Sequence, residues 1–209
     1  MKLVLSTRNA HKAEEFGALL APHEVVALPD DVQLPPETGT TFAENALGKA
    51  RAAAAALNAV AIADDSGVES AALGGRPGVY SARFAGEDAT DEENLAKLLA
   101  EAPAGSALAY VCAIALVDPA TGAEEVFEGR CTGVLTDDPR GTNGFGYDPA
   151  FVPDDDATGR TMAELAPEEK GAISHRGRAA SLLLTHLDGR GASADGDVAP
   201  NAPPPTGRA

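Results

Sequence analysis

The sequence is short of basic residues. Of its 209 residues, 16 are lysine or arginine and 32 are aspartate or glutamate, so the formal net charge is −16 and the pI is about 4.5. A surface that binds DNA or RNA carries clustered positive charge, so this composition argues against a nucleic-acid polymer as a partner. It does not exclude a pocket for a single nucleotide, because such a pocket needs only a few cations placed locally.

Cysteines and long apolar runs are also scarce. The two cysteines, Cys112 and Cys131, lie in strand-like runs without the spacing of metal ligands. We interpret them as thiols in a reducing cytosol. No apolar stretch approaches the roughly 20 residues that span a bilayer, and the N-terminus leads into a strand pattern without the features of a signal peptide. These features predict a cytoplasmic protein with no membrane partner.

An apolar run that ends in two carboxylates is the stretch around which the chain is organised. Residues 60–63 have the length and flanks of a short buried strand, and Asp64, Asp65, Ser66 and Gly67 follow directly. We interpret the carboxylates as standing at the carboxyl end of that strand, where ligands bind in open α/β sheets. Adjacent carboxylates repel each other unless a cation or a hydrogen-bond network offsets the repulsion. Mg²⁺ is the usual cation in such a site, because it prefers oxygen ligands and is often shared with substrate phosphates. The alternative is a plain turn capped by Asp64.

The other patterns predict one α/β domain with a mixed sheet. A strand pattern over residues 2–6 is followed by a helix that has Phe16 on its apolar face. The β-rich runs 107–117 and 124–135 are joined by a Pro/Gly turn and predict a hairpin, so the sheet contains antiparallel strands.

Three S/T-x-x-E patterns predict helix starts, and the composition changes near the C-terminus. The capping boxes begin at Thr41, Thr90 and Thr161. We assign residues 1–188 to the domain. Residues 189–209 are mostly Gly, Ala, Asp and Pro, which predicts a disordered acidic tail.

The loop after the first strand has the features of an anion site. A strand that passes through a short polar loop into a helix leaves free N–H groups and a positive dipole end at the loop. Thr7, Asn9 and Lys12 would add donors and a positive charge, although the loop lacks the P-loop pattern. The alternative is that Asn9 only caps the helix and Lys12 is a solvated side chain. Similarly, Lys49 is either a phosphate ligand or a surface lysine.

Two other stretches carry unusual polar or aromatic residues. The glycine-rich run 141–149 holds Phe145 and Tyr147, which we interpret as two exposed aromatics that form a stacking platform for a base. The alternative is that they fold back onto the core. Ser174 is the expected N-cap of the last helix, which places His175 and Arg176 on its first turn. Positive charges are unfavourable there unless an anionic or polar ligand is bound.

Glu37 and Glu44 lie close together in sequence but have different expected roles. Glu44 belongs to the Thr41 capping box, which is a sufficient structural role. Glu37 precedes the helix in a Gly/Pro loop and has no such role. We therefore regard Glu37 as a candidate site residue.

Taken in order, these stretches resemble a known family. They are Thr7-x-Asn9-x-x-Lys12, Glu37-Thr38-Gly39-x-Thr41-Phe42-x-Glu44-Asn45-Ala46, Ala63-Asp64-Asp65-Ser66-Gly67, Gly144-Phe145-Gly146-Tyr147-Asp148-Pro149 and Ser174-His175-Arg176. Together they closely resemble the non-canonical purine NTP pyrophosphatases, also called the inosine triphosphate pyrophosphatase or XTP/dITP diphosphatase family. The resemblance runs from Lys2 to about Asp188. It implies an elongated mixed β-sheet flanked by helices, with the active cleft between two lobes, and a homodimer. It also implies Mg²⁺-dependent hydrolysis of ITP, dITP or XTP to the monophosphate and pyrophosphate, which removes deaminated purines from the nucleotide pool.

The same resemblance implies roles for individual residues. Asp65 would be catalytic, orienting or deprotonating the attacking water, and Glu37 and Asp65 would bind Mg²⁺. The residues implied to bind substrate are Ser6, Thr7, Arg8, Asn9, Ala10, His11, Lys12, Lys49, Ser66, Phe145, Gly146, Tyr147, Asp148, Lys170, His175 and Arg176. We predict in addition that Arg176 reads the 6-oxo edge of the base while Phe145 stacks on it. Arg8 departs from the family pattern, which often has a small residue such as glycine there, and it is expected to crowd the phosphate loop.

Three other functions remain open at this level. Septum-inhibitor-type nucleotide pyrophosphatases share the general fold but act on other nucleotides. A Mg²⁺ phosphomonoesterase built on Asp64 and Asp65 would release orthophosphate, but it would need a nucleophilic carboxylate after the first strand. A nucleotide sensor without turnover would have no use for a base at Asp65.

Overall fold

The computed structural model describes the backbone of residues 1–194 and the side chains of residues 1–189. The strands are β1 (Lys2–Leu5), β2 (Glu24–Ala27), β3 (Ala61–Ser70), β4 (Ala107–Asp118), β5 (Ala123–Leu135) and β6 (Phe151–Pro153). The helices are α1 (Ala10–Leu19), α2 (Phe42–Leu57), α3 (Asp91–Glu101), α4 (Pro167–Ile173) and α5 (His175–Ala194). Short 3-10 turns span Ala71–Leu73, Gly78–Arg83, Asp148–Ala150 and Met162–Glu164.

All of these strands form one mixed six-stranded sheet in the order β2-β1-β3-β4-β5-β6. The strand β1 is parallel to both of its neighbours, whereas β3, β4, β5 and β6 pair antiparallel. The predicted α/β class, the mixed sheet and the β4–β5 hairpin are therefore confirmed.

Helices cover both faces of the sheet because its strands alternate apolar side chains between two cores. Ala61, Ala63 and Ala113 pack under α2, whose buried alanines allow a close approach. Ile62 and Ile114 point to the other face and pack against α1 and α5. A third cluster lies around β6, the first residues of β4 and the last residues of β5.

The strand β3 is longer than predicted. It does not end at the carboxylates, because the pairing with β4 continues from Ala61 to Ser70. The strand β1 is short, and on the side that faces β3 it pairs only with Ala61 and Ile62. Asp64 and Asp65 therefore lie inside β3, just beyond the point where β1 ends and its loop begins. The prediction of a strand end or turn at the acidic pair was wrong, because antiparallel pairing on one side is enough to continue a strand.

The predicted helix starts are correct, and the last helix extends past its predicted end. The side chains of Thr41 and Thr90 form the predicted capping boxes. At Thr161 only half of the box forms, on a single 3-10 turn: Glu164 accepts from the Thr161 amide at 2.8 Å, but the Thr161 hydroxyl donates to the Arg140 carbonyl instead. Ser174 caps α5, since its Oγ accepts a hydrogen bond from the Gly177 amide at 3.0 Å. The helix continues to Ala194, beyond the predicted boundary at residue 189, since each added residue extends an existing helix without a new nucleus. The rest of the predicted tail, residues 195–209, lies outside the described residues.

Among residues 1–194, no helix is both long and apolar enough to cross a membrane.

Candidate active site

A cleft of about 320 Å³ opens at the end of β1, where the polar stretches of the sequence meet. It is lined by the β1–α1 loop, Glu37, Lys49 of α2, the middle of β3, the 145–148 loop and the start of α5. Of the residues implied to be catalytic, metal-binding or substrate-binding, only Ala10 and His11 are absent from the lining, and Asp64 of the acidic pair is absent as well. The fold brings the others together, and the roles of all of them stay predictions.

Asp65 and Glu37 meet on one face of the sheet, at Lys49. The Lys49 ammonium donates to Glu37 Oε1 and lies 3.6 Å from Asp65 Oδ1. Asp65 Oδ2 accepts a hydrogen bond from the Asn45 side chain at 2.9 Å. Burial raises the pKa of Asp65 and nearby Glu37 adds to the rise, while Lys49 opposes it. An aspartate with a raised pKa at the edge of a polar cleft is suited to act as a general base.

Asp64 faces the opposite side of the sheet, because adjacent residues of a strand point to opposite faces. Its Oδ2 lies 3.0 Å from the Lys12 ammonium and accepts hydrogen bonds from Arg176 at 3.1 Å and Ser66 at 3.2 Å. Burial raises the pKa of Asp64, but Lys12, Arg176 and Lys49 outweigh it and hold the pKa far below the ordinary range. The two carboxylates thus form two separate ionic clusters. Different cations therefore offset the charges of the two adjacent carboxylates.

The β1–α1 loop caps helix α1, and Lys12 on the first turn of that helix adds a positive charge. Asn9 caps α1 by accepting a hydrogen bond from the Lys12 amide, and Thr7 Oγ1 accepts one from the Asn9 amide. The alternative interpretation of Asn9 as an N-cap is therefore correct, but Lys12 is not a solvated side chain, since it pairs with Asp64. Ser6 is buried and donates to the Lys49 carbonyl at 3.0 Å, which ties β1 to α2.

Arg8 is turned away from the position in which it was expected to crowd this loop. Its guanidinium donates to the carbonyl oxygens of Leu28, Pro29, Asp30 and Val32 at 2.8–3.3 Å. It also lies 3.3 Å from the exposed Asp30 carboxylate. The expectation of crowding was wrong, because these acceptors draw the side chain towards the segment after β2.

The ring of Phe145 lines the cleft among cationic groups. The Lys170 ammonium and the Arg176 guanidinium lie 5.1 and 5.8 Å from its centroid. The exposed His11 stacks on it with ring centroids 5.5 Å apart. Phe145 is half-buried and accessible from the cleft. Tyr147, in contrast, is 5% exposed, packs in the third core and donates to the Ser81 carbonyl at 2.7 Å. The prediction of two exposed aromatics was wrong for Tyr147, since its hydroxyl finds a buried acceptor.

Asp148 holds the glycine-rich loop in place. Its Oδ1 accepts from the Tyr110 hydroxyl at 3.0 Å, and its Oδ2 accepts from the Lys170 ammonium at 2.9 Å and the Phe145 amide at 3.0 Å. This buried carboxylate therefore helps to position the Phe145 ring, together with Asp91, which accepts from the Gly146 amide at 2.9 Å.

The start of α5 carries one buried cation instead of the two that were predicted. His175 is buried and stacks on Tyr110 with centroids 4.6 Å apart, and burial together with the nearby Arg176 pushes its pKa well below 6.5. It is therefore neutral at physiological pH. Arg176 is 1% exposed and donates to Glu15, Asp64 and Ser66. Its Nε has no hydrogen-bond partner among the described residues.

Sequence reasoning missed three residues that hold the site together. Glu15 pairs with both Lys170 and Arg176, Asn45 positions Asp65, and Tyr110 binds Asp148. The signal for Glu15 was its position one helical turn after Lys12, on the same side of α1. Asn45 lay inside a quoted motif, but its partner is distant in sequence.

Glu37 and Asp65 suit a magnesium ion. Among the residues whose side chains are described, no group of three or more His, Cys, Asp and Glu side chains is placed to hold a metal. Mg²⁺, however, is usually held by one or two carboxylates and completes its coordination with water and substrate phosphates. The Glu37 and Asp65 carboxylates both approach the Lys49 ammonium, beside the loop between β1 and α1. They therefore fit this requirement.

A glycine substitution tests the role of Asp148. A Cβ at residue 144 would lie 2.0 Å from Asp148 Oδ2, whereas a Cβ at residue 122, in the turn between β4 and β5, would meet nothing within 4 Å. Both glycines have positive φ, at 75° and 72°, so both alanine variants carry a backbone strain of roughly 1–2 kcal/mol. We expect Gly144→Ala to raise the KM for the nucleotide that the family resemblance implies about tenfold, since it disturbs the support of Phe145. Gly122→Ala is the matched control. Equal KM values in the two variants would contradict a positioning role for Asp148.

Comparison with known proteins identifies the family. A sequence model of the Ham1 family matches residues 3–186. The chain belongs to the Ham1 family. This confirms the resemblance stated from the motifs. The family match ends within α5, ahead of the C-terminal stretch that was predicted to be a tail.

The Ham1 family relatives cover almost the whole chain. A dITP/XTP pyrophosphatase of Geobacter sulfurreducens is 48% identical over 198 residues, which cover 91% of this chain and 98% of the relative. The protein of the same name from Geobacillus kaustophilus is 50% identical over 196 residues, which cover 90% of this chain and 92% of the relative. The structure of a HAM1 protein from Coxiella burnetii matches with a TM-score of 0.81 and 41% identity, covering 90% of this chain and 99% of that chain. The sequence and the fold thus agree on the Ham1 family.

Proposed function

We propose that this protein hydrolyses deaminated purine nucleoside triphosphates, namely dITP, ITP and XTP, to the monophosphate and pyrophosphate. The observation that carries the proposal is the cleft itself. Lys12 and Lys49 line the cleft together with residues 6–9 of the β1–α1 loop, which we call the phosphate loop. Asp65 and Glu37 lie next to Lys49, and the half-buried Phe145 ring lines the same cleft. The relatives named dITP/XTP pyrophosphatases support the choice of substrate.

The proposed reaction is attack of water on the α-phosphorus. A bond forms between the water oxygen and phosphorus, the bond to the bridging oxygen of the pyrophosphate breaks, and the water proton passes to the Asp65 carboxylate. Asn45 and Lys49 hold Asp65 in place for this step. Lys12, Lys49 and the N–H groups at the start of α1 offset the charge of the triphosphate. Mg²⁺, held by Glu37 and Asp65, would supply further charge neutralisation.

We propose that the base stacks on Phe145, which contributes about 1–3 kcal/mol to binding. The donors near this ring belong to Lys170 and Arg176, and both side chains are already engaged by carboxylates. A 6-oxo group accepts a hydrogen bond from an N–H group that these side chains have left over, such as Arg176 Nε–H, whereas the 6-amino group of adenine leaves that N–H group unpaired. Unpaired buried donors give large specificity ratios. We also propose a cytoplasmic homodimer, as the family resemblance implies.

Product analysis tests the proposed function. Purified protein is incubated with dITP, XTP, dGTP, dATP, UTP and dTTP, with and without Mg²⁺, and pyrophosphate and orthophosphate are quantified separately. We expect pyrophosphate from dITP and XTP and none without a divalent cation. Little product is expected from dATP, whose 6-amino group cannot accept the hydrogen bond, and from dGTP, whose 2-amino group the pocket must exclude. Orthophosphate as the primary product would favour the phosphomonoesterase. Preferential turnover of UTP or dTTP would favour the septum-inhibitor-type enzyme, and tight binding without turnover would favour the sensor.

A further inference from the structure

The segment between β2 and α2 carries Glu37 but has little regular structure of its own. Leu28 and Val32 are buried against the α2 face of the sheet, and Leu34 lines the cleft. Between Val32 and the start of α2 at Phe42 the segment forms neither a helix nor a strand. The Glu37 carboxylate is paired with Lys49 and Arg83, and Arg83 also donates to the Glu37 carbonyl at 3.4 Å. The course of the backbone on either side of Glu37 depends on what anchors the segment at its two ends.

The end of the segment near α2 is anchored to the candidate catalytic residue. The Gly39 amide donates to Asn45 Oδ1 at 2.8 Å, and the same Asn45 side chain donates to Asp65 Oδ2 at 2.9 Å. A Cβ at residue 39 would lie 2.7 Å from Asn45 Oδ1, so a side chain at this position would disturb the contact. Asn45 thus links this end of the segment to Asp65.

The other end of the segment is anchored by Arg8 of the phosphate loop. One guanidinium group donates to the carbonyls of Leu28, Pro29, Asp30 and Val32. A guanidinium is planar and has five N–H donors in a fixed arrangement, so it can join several acceptors at once, which an ammonium on a flexible stem does less well. The ion pair with Asp30 adds little, since the Asp30 side chain is fully exposed.

We propose that Arg8 is a positioning residue that fixes the Glu37-bearing segment against the phosphate loop through these carbonyls. The inference rests on the proposed function in assigning Glu37 to the metal. Arg8 and Asn45 then hold the two ends of the segment, one from the phosphate loop and one from Asp65. The Glu37 carboxylate, the phosphate loop and Asp65, the candidate general base, are thereby kept in one arrangement before substrate binds. Preorganisation of this kind by groups outside the first contacts sets how well a site holds its metal.

The alternative role for Arg8 is a simple electrostatic attraction of the triphosphate. That role depends on the positive charge alone, so lysine would satisfy it. The positioning role depends on the arrangement of the guanidinium donors, so lysine would not. The pair Arg8→Ala and Arg8→Lys therefore separates the two roles, and Asp30→Ala is the matched control that removes only the exposed ion pair.

Two measurements on the full-length protein test the proposal. The first is the Mg²⁺ concentration that gives half-maximal pyrophosphate release from dITP. The second is amide hydrogen exchange over residues 28–41 without metal or nucleotide, in which the Val32 and Gly39 amides report on the segment. We expect both Arg8 variants to raise the half-maximal Mg²⁺ concentration about tenfold. We also expect faster exchange over residues 28–41 in both Arg8 variants, whereas the Asp30→Ala protein should behave like the parent in both measurements.

The outcomes separate this proposal from the proposed function. If Arg8→Lys restores the parent metal requirement while Arg8→Ala does not, charge alone matters and the positioning role is overturned. Unchanged exchange over residues 28–41 in Arg8→Ala would also overturn it. A parent protein that releases no pyrophosphate from dITP would refute the proposed function, while the exchange measurement would still show whether Arg8 holds the segment.

Discussion

The Asp65→Asn protein is expected to release pyrophosphate from dITP about 10²–10⁴ times more slowly than the parent, because the amide cannot accept the proton of the attacking water. Asparagine has nearly the same shape and can still accept the hydrogen bond from Asn45. The loss would therefore reflect chemistry and not a disturbed fold. The measurement is the rate of pyrophosphate release at saturating dITP and Mg²⁺.

The stability of the same variant distinguishes a catalytic role from a structural one. Burial and the neighbouring Glu37 raise the pKa of Asp65, which means that the folded protein disfavours its charged form. A neutral asparagine removes that unfavourable term, so we expect a free energy of unfolding at pH 7 equal to or higher than that of the parent. Asp137→Asn, at an exposed position outside the cleft, is the control for the substitution itself. A variant that is both active and destabilised would assign Asp65 to the fold.

Local signals in the sequence were sufficient to predict most of the secondary structure. The capping boxes at Thr41 and Thr90 and the cap at Ser174 each involve side chains and amides within a few residues, so the pattern contains all of the interacting groups. The hairpin of β4 and β5 is similarly local. The order of the motifs then led to the correct family.

The errors arose where the decisive partner is distant in sequence. Nothing near Asp64 shows that β4 continues to pair with β3 past the carboxylates. The same is true of Tyr147, whose hydroxyl acceptor is the Ser81 carbonyl, and of Arg8, whose acceptors follow β2. In each case a polar group forms hydrogen bonds with a group that is distant in sequence, and such pairings follow only from the assembled fold.

The same distinction applies to the candidate site. Motif comparison named the residues of the cleft, but it did not show which of them are paired. The structure shows that Asp64 and Asp65 belong to separate ionic clusters on opposite faces of β3. Asp65 is left beside the polar cleft with a raised pKa, while Asp64 is neutralised by buried cations. This division explains how adjacent carboxylates serve different purposes.

The cluster around Asp64 makes Arg176 the second residue with a large expected effect. Its guanidinium is buried and joins Asp64 on β3 to Glu15 on α1. Replacing it with methionine removes one cation from each of these two largely buried carboxylates. Asp64 keeps its pairing with Lys12, and Glu15 keeps its pairing with Lys170. We expect Arg176→Met to lower the free energy of unfolding at pH 7 by about 3 kcal/mol, at the low end of the range for breaking a buried ion pair. The measurement is chemical denaturation.

A matched control lies two residues further along α5. Arg178 pairs with Asp155, but both side chains are substantially exposed, at 41% and 40%. Arg178→Met is therefore expected to change the free energy of unfolding by less than about 1 kcal/mol. We also expect the deficit of Arg176→Met to narrow as the pH falls, because a carboxyl group that has lost its cation takes up a proton more readily. Equal effects of the two substitutions would show that the Asp64 cluster contributes no special stability.

The same protein tests whether Arg176 reads the base. The ratio of kcat/KM for dITP to that for dATP is independent of the fraction of folded enzyme, so it can be compared directly between the parent and Arg176→Met. If Arg176 donates to the 6-oxo group, the ratio should fall at least tenfold, which corresponds to the loss of about 1.4 kcal/mol of discrimination. Since both terminal nitrogens of Arg176 already bind Ser66 or carboxylates, only Nε remains without a partner among the described residues. An unchanged ratio in a destabilised protein would assign Arg176 to holding α1, β3 and α5 together, and would leave Lys170 as the cation that reads the base.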